Sequence, residues 1–393
     1  MSILKKVRIL KKLVRQYGSP LFIVSPNQAR KNAVQALRTL AKFDGKSQLF
    51  YAMKANYSPP LIAAFKALGI GTEVMSLLEL ELAAKVGIPT SRIIFSSPIK
   101  NDACRRIFEF ANPPYVLLDS LEEMLWMKAG SRQFSKSCSV ILRFDPDGGS
   151  DRKFGLSENE LIALYKEYYR DPHLAIRGIH FHLGTRTTRW EDFKDGLSLT
   201  LSLFKRLQTF AGSSISIVDV GGGFPEAQEG LKLLSRTVVS LNSWKSRHPH
   251  AHFDLFVEPG RMLVADAGTF LCTVNQIKTL KGKKWIFCDI GINLLPGLKS
   301  ANYRFSVVRT RDDGPVETYY GIAGPLGMGH DMRVVKLRGP RVFAGDTLVV
   351  TNAGAYTSSL WEPFATGRPA VIVMSDDFRA RLVRRRDSWE ELF

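Results

Sequence analysis

A single lysine closes an apolar, strand-like run in the stretch Tyr51-Ala52-Met53-Lys54-Ala55-Asn56. Residues 48–53 are predicted to form a buried strand, which places Lys54 at the C-terminal end of that strand with its amine in a cavity. Burial disfavours the charged form of an amine, and a free amine can form a Schiff base with an aldehyde cofactor. The same pattern is also typical of a lysine whose stem packs beside a barrel mouth while its amine stays in water.

The overall composition is that of an ordinary globular chain. It has 393 residues, of which 45% are hydrophobic and 23% charged, so the length favours two domains with ample core. The longest apolar runs, such as 370–374, are far shorter than the roughly 18 residues that a membrane-spanning helix needs, which argues against a membrane partner. The four cysteines have no metal-ligand spacing, which favours unpaired thiols in a reducing, cytoplasmic compartment and argues against a metal site.

The formal net charge of +18 is unusual and is concentrated near the chain ends. No acidic residue precedes Asp44, and residues 3–17 form a basic amphipathic pattern. Three interpretations of this segment remain open: an organellar presequence, a membrane-surface helix, or the first helix of the folded domain. The last is favoured because Tyr17-Gly18-Ser19-Pro20 follows as a normal helix stop. No recognised binding motif accompanies the charge, which argues against a nucleic-acid partner.

From residue 48 onward, strand-like and helix-like segments alternate, as is typical of parallel strands with crossover helices. The predicted strands are Gln48–Met53, Gly71–Met75, Arg92–Ser96, Tyr115–Leu118, Ser139–Phe144, Ile176–His182, Ser214–Val220 and Phe253–Val257. Eight such units match a TIM (β/α)8 barrel, whose active site lies at the C-terminal ends of the strands. We therefore predict an α/β fold with a barrel over residues 27–263.

Polar residues gather at the C-terminal ends of these strands, where a purely structural sheet would prefer branched apolar side chains. They are Lys54, Glu73, Ser76, Lys100, Asp119, Arg143, His182, the glycines at 221–223 and Glu258.

After the barrel, short strands follow one another without helices, as is typical of an all-β domain with a sandwich-like or barrel-like shape. The predicted strands are Thr269–Ile277, Trp285–Ile290, Tyr303–Arg309, Glu317–Ile322, Arg333–Lys336, Thr347–Thr351, Ala370–Met374 and Arg381–Arg385. This domain is assigned residues 264–393 together with residues 1–26, because Leu21–Val24 is also strand-like and is expected to pair into it.

A glycine triplet follows the seventh barrel strand in Val220-Gly221-Gly222-Gly223-Phe224. Consecutive glycines let backbone N–H groups approach a phosphate without interference from side chains. The position matches the phosphate site usual after the late strands of a TIM barrel, although a glycine triplet alone is also typical of a tight turn.

Two further motifs supply charged and titratable groups. Glu258-Pro259-Gly260-Arg261 follows the eighth strand, and its carboxylate can hold a ring nitrogen protonated while its guanidinium clamps a phosphate. A mutual surface ion pair is the alternative. His180-Phe181-His182 ends the sixth strand, and alternation places both histidines on one face, where one can lie flat against an aromatic ring or be an ordinary core group.

Several motifs occur in a fixed order along nearly the whole chain. They are Tyr51-Ala52-Met53-Lys54-Ala55-Asn56, Lys153-Phe154-Gly155, His180-Phe181-His182-Leu183-Gly184-Thr185, Gly221-Gly222-Gly223-Phe224-Pro225, Glu258-Pro259-Gly260-Arg261, Asn352-Ala353-Gly354-Ala355-Tyr356 and Arg384-Arg385-Arg386. Together they resemble the fold-type III pyridoxal-phosphate decarboxylases, the group that contains diaminopimelate and ornithine decarboxylases.

The resemblance implies a role for each matching residue. Lys54 would carry pyridoxal 5'-phosphate as an aldimine, Glu258 would pair with the ring nitrogen, and His182 would stack on the ring. The implied phosphate ligands are Thr185, Gly222, Gly223, Arg261 and Tyr356, and Gly221 is expected among the cofactor-binding residues. The resemblance also implies a homodimer in which each active site borrows a Gly-Pro-x-Cys loop and a tyrosine region from the partner's β domain.

The chain departs from the family pattern in that loop, which reads Gly324-Pro325-Leu326-Gly327-Met328-Gly329-His330-Asp331. Gly327 occupies the place of the cysteine that donates a proton to Cα, and Met328 the place of the acidic residue that meets the substrate's far end. His330 is the nearest titratable replacement for the donor. Met328 and Asp331 are expected to face the substrate. Asn352 also stands where aspartate is usual.

We therefore expect a pyridoxal-phosphate-dependent amino-acid decarboxylase, a lyase of biosynthetic amino-acid metabolism acting at Cα. Its substrate is expected to be an amino acid with an apolar or masked tail, and attachment to an acidic carrier protein is one form of masking that the basic chain would suit. Racemisation or decarboxylation-dependent transamination remains an alternative. An inactive cofactor-binding homologue with a regulatory role is the alternative of another class.

Overall fold

The structure is a computed structural model that describes residues 3–146, 153–184, 189–210, 213–297, 302–308, 318–332, 334–339 and 341–391. It divides into two compact units. The barrel unit is Arg30–Leu263, and the β unit combines Met1–Ala29 with Val264–Phe393. The first boundary thus falls at residue 30, where the sequence predicted residue 27.

The β unit begins with helix α1 (Ile3–Tyr17) and strand β1 (Leu21–Val24). Leu13 of α1 is buried in a cluster with Leu21 and Ile23, and further apolar side chains of the helix pack against the same cluster. Gly18 ends the helix in the left-handed conformation, with its amide bonded to the carbonyl of Val14. The basic segment therefore packs as the first helix of the folded unit, the interpretation that its helix stop favoured.

The barrel unit is built on a closed barrel of eight parallel strands, as predicted. They are β2 (Ser47–Ala52), β3 (Gly71–Val74), β4 (Ile93–Phe95), β5 (Tyr115–Leu118), β6 (Cys138–Phe144), β7 (Leu174–Phe181), β8 (Ile217–Asp219) and β9 (Asp254–Val257). Strand β2 pairs with both β3 and β9, which closes the barrel.

Helices alternate with these strands. They are α2 (Pro26–Leu40), α3 (Pro59–Lys66), α4 (Leu77–Val86), α5 (Asn101–Glu109), α6 (Leu121–Phe134), α7 (Glu158–Tyr168), α8 (Trp190–Gln208), α9 (Ala227–Arg247) and α10 (Arg261–Val264). Within the described part of the chain, no helix has the length and apolar character needed to cross a membrane.

Apolar side chains from six of the eight strands pack into one cluster, which forms a layer of the barrel interior. They are Phe50, Ile94, Leu117, Ile141, Ile217 and Phe256, all nearly or fully buried. The rings of Phe50 and Phe256 lie 4.8 Å apart between centroids. Burial of each such side chain stabilises the fold by about 1.5–3 kcal/mol. The barrel interior is therefore packed at this level and does not form a pore. The polar strand ends lie on the C-terminal side of this layer.

The remaining strands form the β unit's sheet. They are β10 (Gly268–Leu280), β11 (Lys283–Cys288), β12 (Arg304–Val308), β13 (Thr318–Ala323), β14 (Val334–Gly339), β15 (Thr347–Thr351), β16 (Ala370–Met374) and β17 (Ala380–Arg384). The order along the sheet is β14-β13-β11-β10-β1-β16-β17, with β15 pairing β10 and β12. Strand β1 pairs antiparallel with β10 and parallel with β16, so Leu21–Val24 joins this sheet as predicted.

Candidate active site

Lys54 lies at the C-terminal end of β2, in a short 3₁₀ turn over Met53–Ala55. Its amine is 2.6 and 2.8 Å from the two carboxylate oxygens of Glu73 on β3. Ser96, which follows β4, donates to the same carboxylate. The Lys54 side chain is 36% exposed and that of Glu73 only 2%, so the amine is reachable while its anionic partner is not. The predicted position of Lys54 at the barrel mouth agrees with this placement.

A row of polar side chains crosses three neighbouring strands at the same height. Arg143 on β6 is in register with His180 on β7, which is in register with Asp219 on β8. Glu258 follows β9 directly. Burial lowers the pKa of the Arg143 guanidinium, and the negative charges around it oppose that shift. The barrel closure therefore brings a cation, a histidine and two carboxyl groups to one side of the mouth.

The Glu258 carboxyl is buried, and only one of its oxygens has a nearby partner. Its Oε2 lies 3.5 Å from Nε2 of His180, whereas its Oε1 is buried without a hydrogen-bond partner. Burial raises the pKa of Glu258, and the positive charge of Lys54 opposes the shift. A buried carboxylate oxygen without a partner is unfavourable unless a ligand supplies a donor. The site therefore has a place for a protonated ring nitrogen.

His182 is held in one orientation by the glycine triplet. The amide of Gly222 donates to Nδ1 of His182 at 3.1 Å, so a neutral His182 ring carries its proton on Nε2. The rings of His180 and His182 are nearly parallel, with an interplanar angle of 3°. This fixed ring plane is compatible with the expected stacking of His182 on a cofactor ring.

The glycines at 221–223 allow three strand ends to approach closely. A Cβ on Gly221 would lie 2.5 Å from the carbonyl oxygen of Phe181, and one on Gly222 would lie 2.7 Å from that of Glu258. Two of the three amides have side-chain acceptors in this structure. The Gly221 amide donates to the carboxyl group of Asp219, and the Gly222 amide donates to the ring of His182. Gly223, at φ 84°, is the remaining amide.

The other predicted phosphate ligands lie in separate places. Thr185 lies outside the described residues. Arg261 begins α10 and is partly buried. Tyr356 lies in the β unit, where Gly354 packs so tightly that a Cβ would lie 1.9 Å from the carbonyl oxygen of Val264. That contact explains why the turn before Tyr356 contains glycine.

The loop over residues 324–331 is organised by Asp331. One oxygen of this buried carboxylate accepts from the amide of Ile292 at 2.9 Å, and the other accepts from the amide of Leu326 at 2.8 Å. Both oxygens therefore serve the main chain, which favours a role in shaping the loop over the predicted substrate contact. Met328 is half-buried and His330 is exposed. Their predicted roles as substrate contact and proton donor remain predictions.

Some site residues were missing from the sequence-based assignment. Glu73 and Arg143 had a signal, since both are polar and end predicted strands. His180 was recognised only as the neighbour of His182. Asp219 was missed because it was placed inside a strand predicted to continue to residue 220, whereas β8 ends at Asp219. Its local signal was a charged residue in an otherwise apolar strand.

Comparison with known proteins identifies the family. Residues 30–265 match the model of the pyridoxal-dependent decarboxylases, pyridoxal binding domain. The chain belongs to this family. It is similar to diaminopimelate decarboxylase of Zymomonas mobilis, with 28% identity over 410 residues that cover 98% of this chain and 94% of the relative. It is also similar to an L-glutamyl-[BtrI acyl-carrier protein] decarboxylase of Niallia circulans, with 26% identity over 372 residues, 88% of this chain and 86% of the relative.

A solved structure agrees on the fold. The diaminopimelate decarboxylase of M. jannaschii, in co-complex with L-lysine, superposes with a TM-score of 0.88 at 24% identity, covering 97% of this chain and 92% of the other. The protein is thus a pyridoxal-phosphate-dependent amino-acid decarboxylase, a carboxy-lyase, as the sequence predicted.

The polar groups at the barrel mouth match the aldehyde, the ring nitrogen and the phosphate of pyridoxal 5'-phosphate. The mouth offers an amine for the aldehyde, a buried carboxylate oxygen without a partner for the ring nitrogen, and, for the phosphate, a glycine amide after β8 and a guanidinium after β9. These groups belong to Lys54, Glu258, Gly223 and Arg261. Each stands at the C-terminal end of a barrel strand or directly after it, as expected for this fold.

Proposed function

We propose that Lys54 is the attachment site of the cofactor and that the decarboxylase acts on an α-amino acid whose far end is uncharged or masked. The observation that carries the first part is the accessible amine of Lys54, held by buried Glu73 and close enough to Glu258 to act on its charge. The second part rests on Met328, which replaces an acidic residue of the related decarboxylases.

Glu73, Glu258 and His182 have separate roles at the barrel mouth. Glu73 binds the Lys54 ammonium and so holds the amine at the end of β2. Glu258, whose Oε1 is buried without a hydrogen-bond partner, would accept a hydrogen bond from the ring N–H of the cofactor and hold the proton there. The Gly222 amide sets the orientation of His182, which would stack on the cofactor ring. When bound, pyridoxal 5'-phosphate supplies the electron-accepting ring that makes loss of carbon dioxide from Cα possible.

The proposed phosphate ligands are Gly223, Arg261, Tyr356 and Thr185. The Gly223 amide offers a neutral donor, and the planar guanidinium of Arg261 offers several N–H groups in a geometry that matches phosphate. Tyr356 and Thr185 enter this set through the family resemblance.

The substrate's tail is proposed from Met328. A cationic tail that faces a thioether loses its ion pair but keeps its cost of desolvation, so free diamino acids should bind poorly. A carrier-linked amino acid has a masked tail, and the net charge of +18 would speed encounter with an acidic carrier. The Niallia relative, named for a glutamyl group on an acyl-carrier protein, supports this form of the proposal.

A second candidate substrate is free diaminopimelate. Several relatives are named for this activity, including those of Zymomonas mobilis and Aquifex aeolicus. This candidate requires another group to meet the substrate's distal charges in place of the acidic residue missing at Met328.

We also propose a cytoplasmic homodimer with shared active sites. The test mixes two inactive variants, Lys54→Arg and Tyr356→Ala, after partial unfolding and refolding together. If Lys54 and Tyr356 of one site come from different protomers, random pairing restores about a quarter of the wild-type sites. If both residues act within one protomer, mixing restores nothing.

The test of the attachment site uses the absorbance spectrum and carbon dioxide release. Wild-type protein supplied with cofactor should develop a Schiff-base band and release carbon dioxide from one member of a panel of free and carrier-linked amino acids. Lys54→Arg keeps the charge that pairs with Glu73 but has no primary amine, so it should lose both signals. Lys66→Arg, an exposed lysine change on α3, is the matched control and should keep both. A Schiff-base band that survives in Lys54→Arg assigns the cofactor to another lysine.

A further inference from the structure

Three buried titratable side chains meet beneath the mouth of the barrel. One side-chain nitrogen of His180 and one carboxyl oxygen each of Asp219 and Glu258 all lie within 4.8 Å of one another. The residues are 2%, 0% and 6% exposed, respectively. Each has one buried polar atom without a hydrogen-bond partner: Nδ1 of His180, Oδ2 of Asp219 and Oε1 of Glu258. Two carboxyl groups so close together and so far from water cannot both be ionised.

The shared proton does not reside on the histidine. Burial lowers the pKa of His180 well below its ordinary value, and the positive charge of Arg143 lowers it further. A neutral imidazole already carries one N–H, so His180 can serve as a donor or acceptor but cannot neutralise a carboxylate. The proton therefore belongs to Asp219 or Glu258.

The charges around the pair favour Asp219 as the holder. Burial raises the pKa of both carboxyl groups. The positive charges of Lys54 and Arg143 act on Glu258 and favour its ionised form. Around Asp219, the negative charges of Glu258 and Glu73 raise its pKa further, and only the Gly221 amide opposes them. Glu258 therefore stays ionised more readily than its neighbour.

The backbone fixes the spacing of the two groups through one glycine. The Gly221 amide donates to Oδ1 of Asp219 at 2.8 Å, and the Gly221 carbonyl accepts from the Glu258 amide, also at 2.8 Å. Since Oδ1 is occupied, Oδ2 is the oxygen that can bear a proton. Gly221 itself cannot carry a side chain, because a Cβ would lie 3.0 Å from Nε2 of His180 and 2.5 Å from the Phe181 carbonyl.

We propose that Asp219 is a positioning residue that keeps its proton on Oδ2 and donates it in a hydrogen bond to Glu258, which leaves Glu258 ionised with Oε1 directed at the cofactor's ring nitrogen. A donor at Glu258 makes that carboxylate a weaker base, so it holds the ring N–H without removing the ring proton. Without the donor, Glu258 competes for that proton and the ring becomes a weaker electron acceptor. The inference rests on the proposed role of Glu258.

The experiment compares two changes at this position. Asp219→Asn keeps an oxygen for the Gly221 amide and an N–H donor for Glu258, so it imitates the protonated acid. Its turnover should stay within about tenfold of wild type, whereas Asp219→Leu, which has no donor, should lose about a hundredfold or more. If Asp219 acts as an anion, Asn will instead be as damaging as Leu, and the proposal fails.

Infrared spectroscopy of the full-length protein without cofactor gives a readout that does not depend on activity. The difference spectrum of wild type minus Asp219→Asn should contain the carbonyl stretch of a protonated carboxyl group as a positive band. Absence of that band from the difference spectrum would show that Asp219 does not hold the proton and would overturn the proposal. A stretch that appears only after chelation would reveal a metal ion between two carboxylates, which also overturns it.

The two proposals fail in different ways. Wild-type protein that takes up no cofactor contradicts the proposed function but leaves the infrared result intact. If Asp219→Leu does not fold, the Asn variant and the infrared comparison still decide the assignment. Bound cofactor provides a third check, because Asp219→Leu should shift the pH at which the cofactor's absorbance band changes, whereas Asp219→Asn should not.

Discussion

The amine of Lys54 and the carboxylate of Glu73 form a two-pronged ion pair, with distances of 2.6 and 2.8 Å to the two oxygens. The pairing of β2 with β3 sets this contact, because Ala52 and Glu73 are partners in register and Lys54 follows two residues later. Ser96 adds a hydroxyl donor from the next strand. The position of the reactive amine therefore depends on three neighbouring strands of a rigid barrel.

The first prediction concerns Glu258. Glu258→Gln keeps the size of the side chain but removes the charge that holds a proton on the cofactor's ring nitrogen. Turnover should fall by about a hundredfold or more, while the cofactor stays bound, because the lost interaction matters most in the transition state. Steady-state turnover and the absorbance spectrum after gel filtration measure the two effects separately.

The matched control is Glu160→Gln, an exposed carboxylate that caps α7. It should leave turnover unchanged. Wild-type turnover in Glu258→Gln would remove Glu258 from its assigned role, and loss of bound cofactor would assign it to binding instead.

The second prediction concerns a fully buried ion pair in the barrel. Nζ of Lys100 lies 2.6 Å from Glu123, and their side chains are 1% and 2% exposed. Lys100→Met would leave the Glu123 charge buried and unpaired, which should lower the free energy of unfolding by about 3–5 kcal/mol in urea titrations. The double variant Lys100→Met/Glu123→Gln should recover part of this loss. Equal stabilities of Lys100→Met and the double variant would show that the unpaired Glu123 charge does not cause the loss of stability.

The third prediction concerns the pH dependence of stability at Glu79. Burial raises the pKa of Glu79 to about 7, and the Met75 amide, which donates to its carboxylate, opposes the shift. Because the folded state binds this proton more tightly than the unfolded state, ionisation of Glu79 destabilises the fold. The penalty is absent below the unfolded pKa of 4.5, grows as the pH rises and is complete above about 7.

Glu79→Gln removes that penalty and keeps an oxygen for the Met75 amide. Its melting temperature should match wild type near pH 4.5 and exceed it at pH 8, where the gain in unfolding free energy reaches about 3 kcal/mol at most. Glu160→Gln is the opposite control: hydrogen bonds from Ser157 lower the pKa of Glu160, so its loss should destabilise the fold at pH 8. A Glu79→Gln effect independent of pH would contradict the assignment.

Much of the fold was predictable because its signals are local. Periodicity identified every barrel strand, and the isolated strand Leu21–Val24 was correctly expected to join the β unit. The cluster of His180, Asp219 and Glu258 was not predictable, since it depends on how three strands align when the barrel closes. An aspartate inside an apolar strand also contradicts β-propensity, and such conflicts between local sequence and fold are expected at functional sites.

The hydrogen bonds of the glycine triplet are a second feature that the sequence could not predict. The sequence indicated a cradle of three amides, but Asp219 and His182 already accept from two of them. Sequence spacing gives the number of available donors but not the competing acceptors that the fold places beside them.

The fourth prediction concerns the proton donor. If Gly327 stands in the place of the proton-donating cysteine, as the resemblance implies, the exposed His330 is the nearest titratable group in the same loop. His330→Gln should lower turnover by about a hundredfold, the lower range for loss of a general acid, and should reduce solvent deuterium at Cα of the product. The exposed His250→Gln is the control. Unchanged rate, product and deuterium content in His330→Gln would assign the proton to water.

The last prediction concerns the substrate's far end. Met328→Asp should create or improve activity on free lysine, ornithine or diaminopimelate, because a carboxylate supplies the ion pair that a cationic tail requires. Met328→Gln, which is polar but uncharged, should not. Efficient turnover of these free amino acids by wild type would refute the masked-tail proposal, because its argument depends on the missing charge.

The carrier form of this prediction makes a separate demand on ionic strength. A chain with a net charge of +18 attracts an acidic carrier over a distance set by the Debye length, which shortens from about 30 Å at 0.01 M salt to about 10 Å at 0.1 M. With a carrier-linked amino acid, kcat/KM should therefore fall steeply over this range while kcat changes little, since salt weakens encounter rather than chemistry. The same amino acid carried on a short uncharged thioester is the control and should show little salt dependence. Equal salt dependence of the two substrates would refute carrier recognition and still leave the masked tail in place.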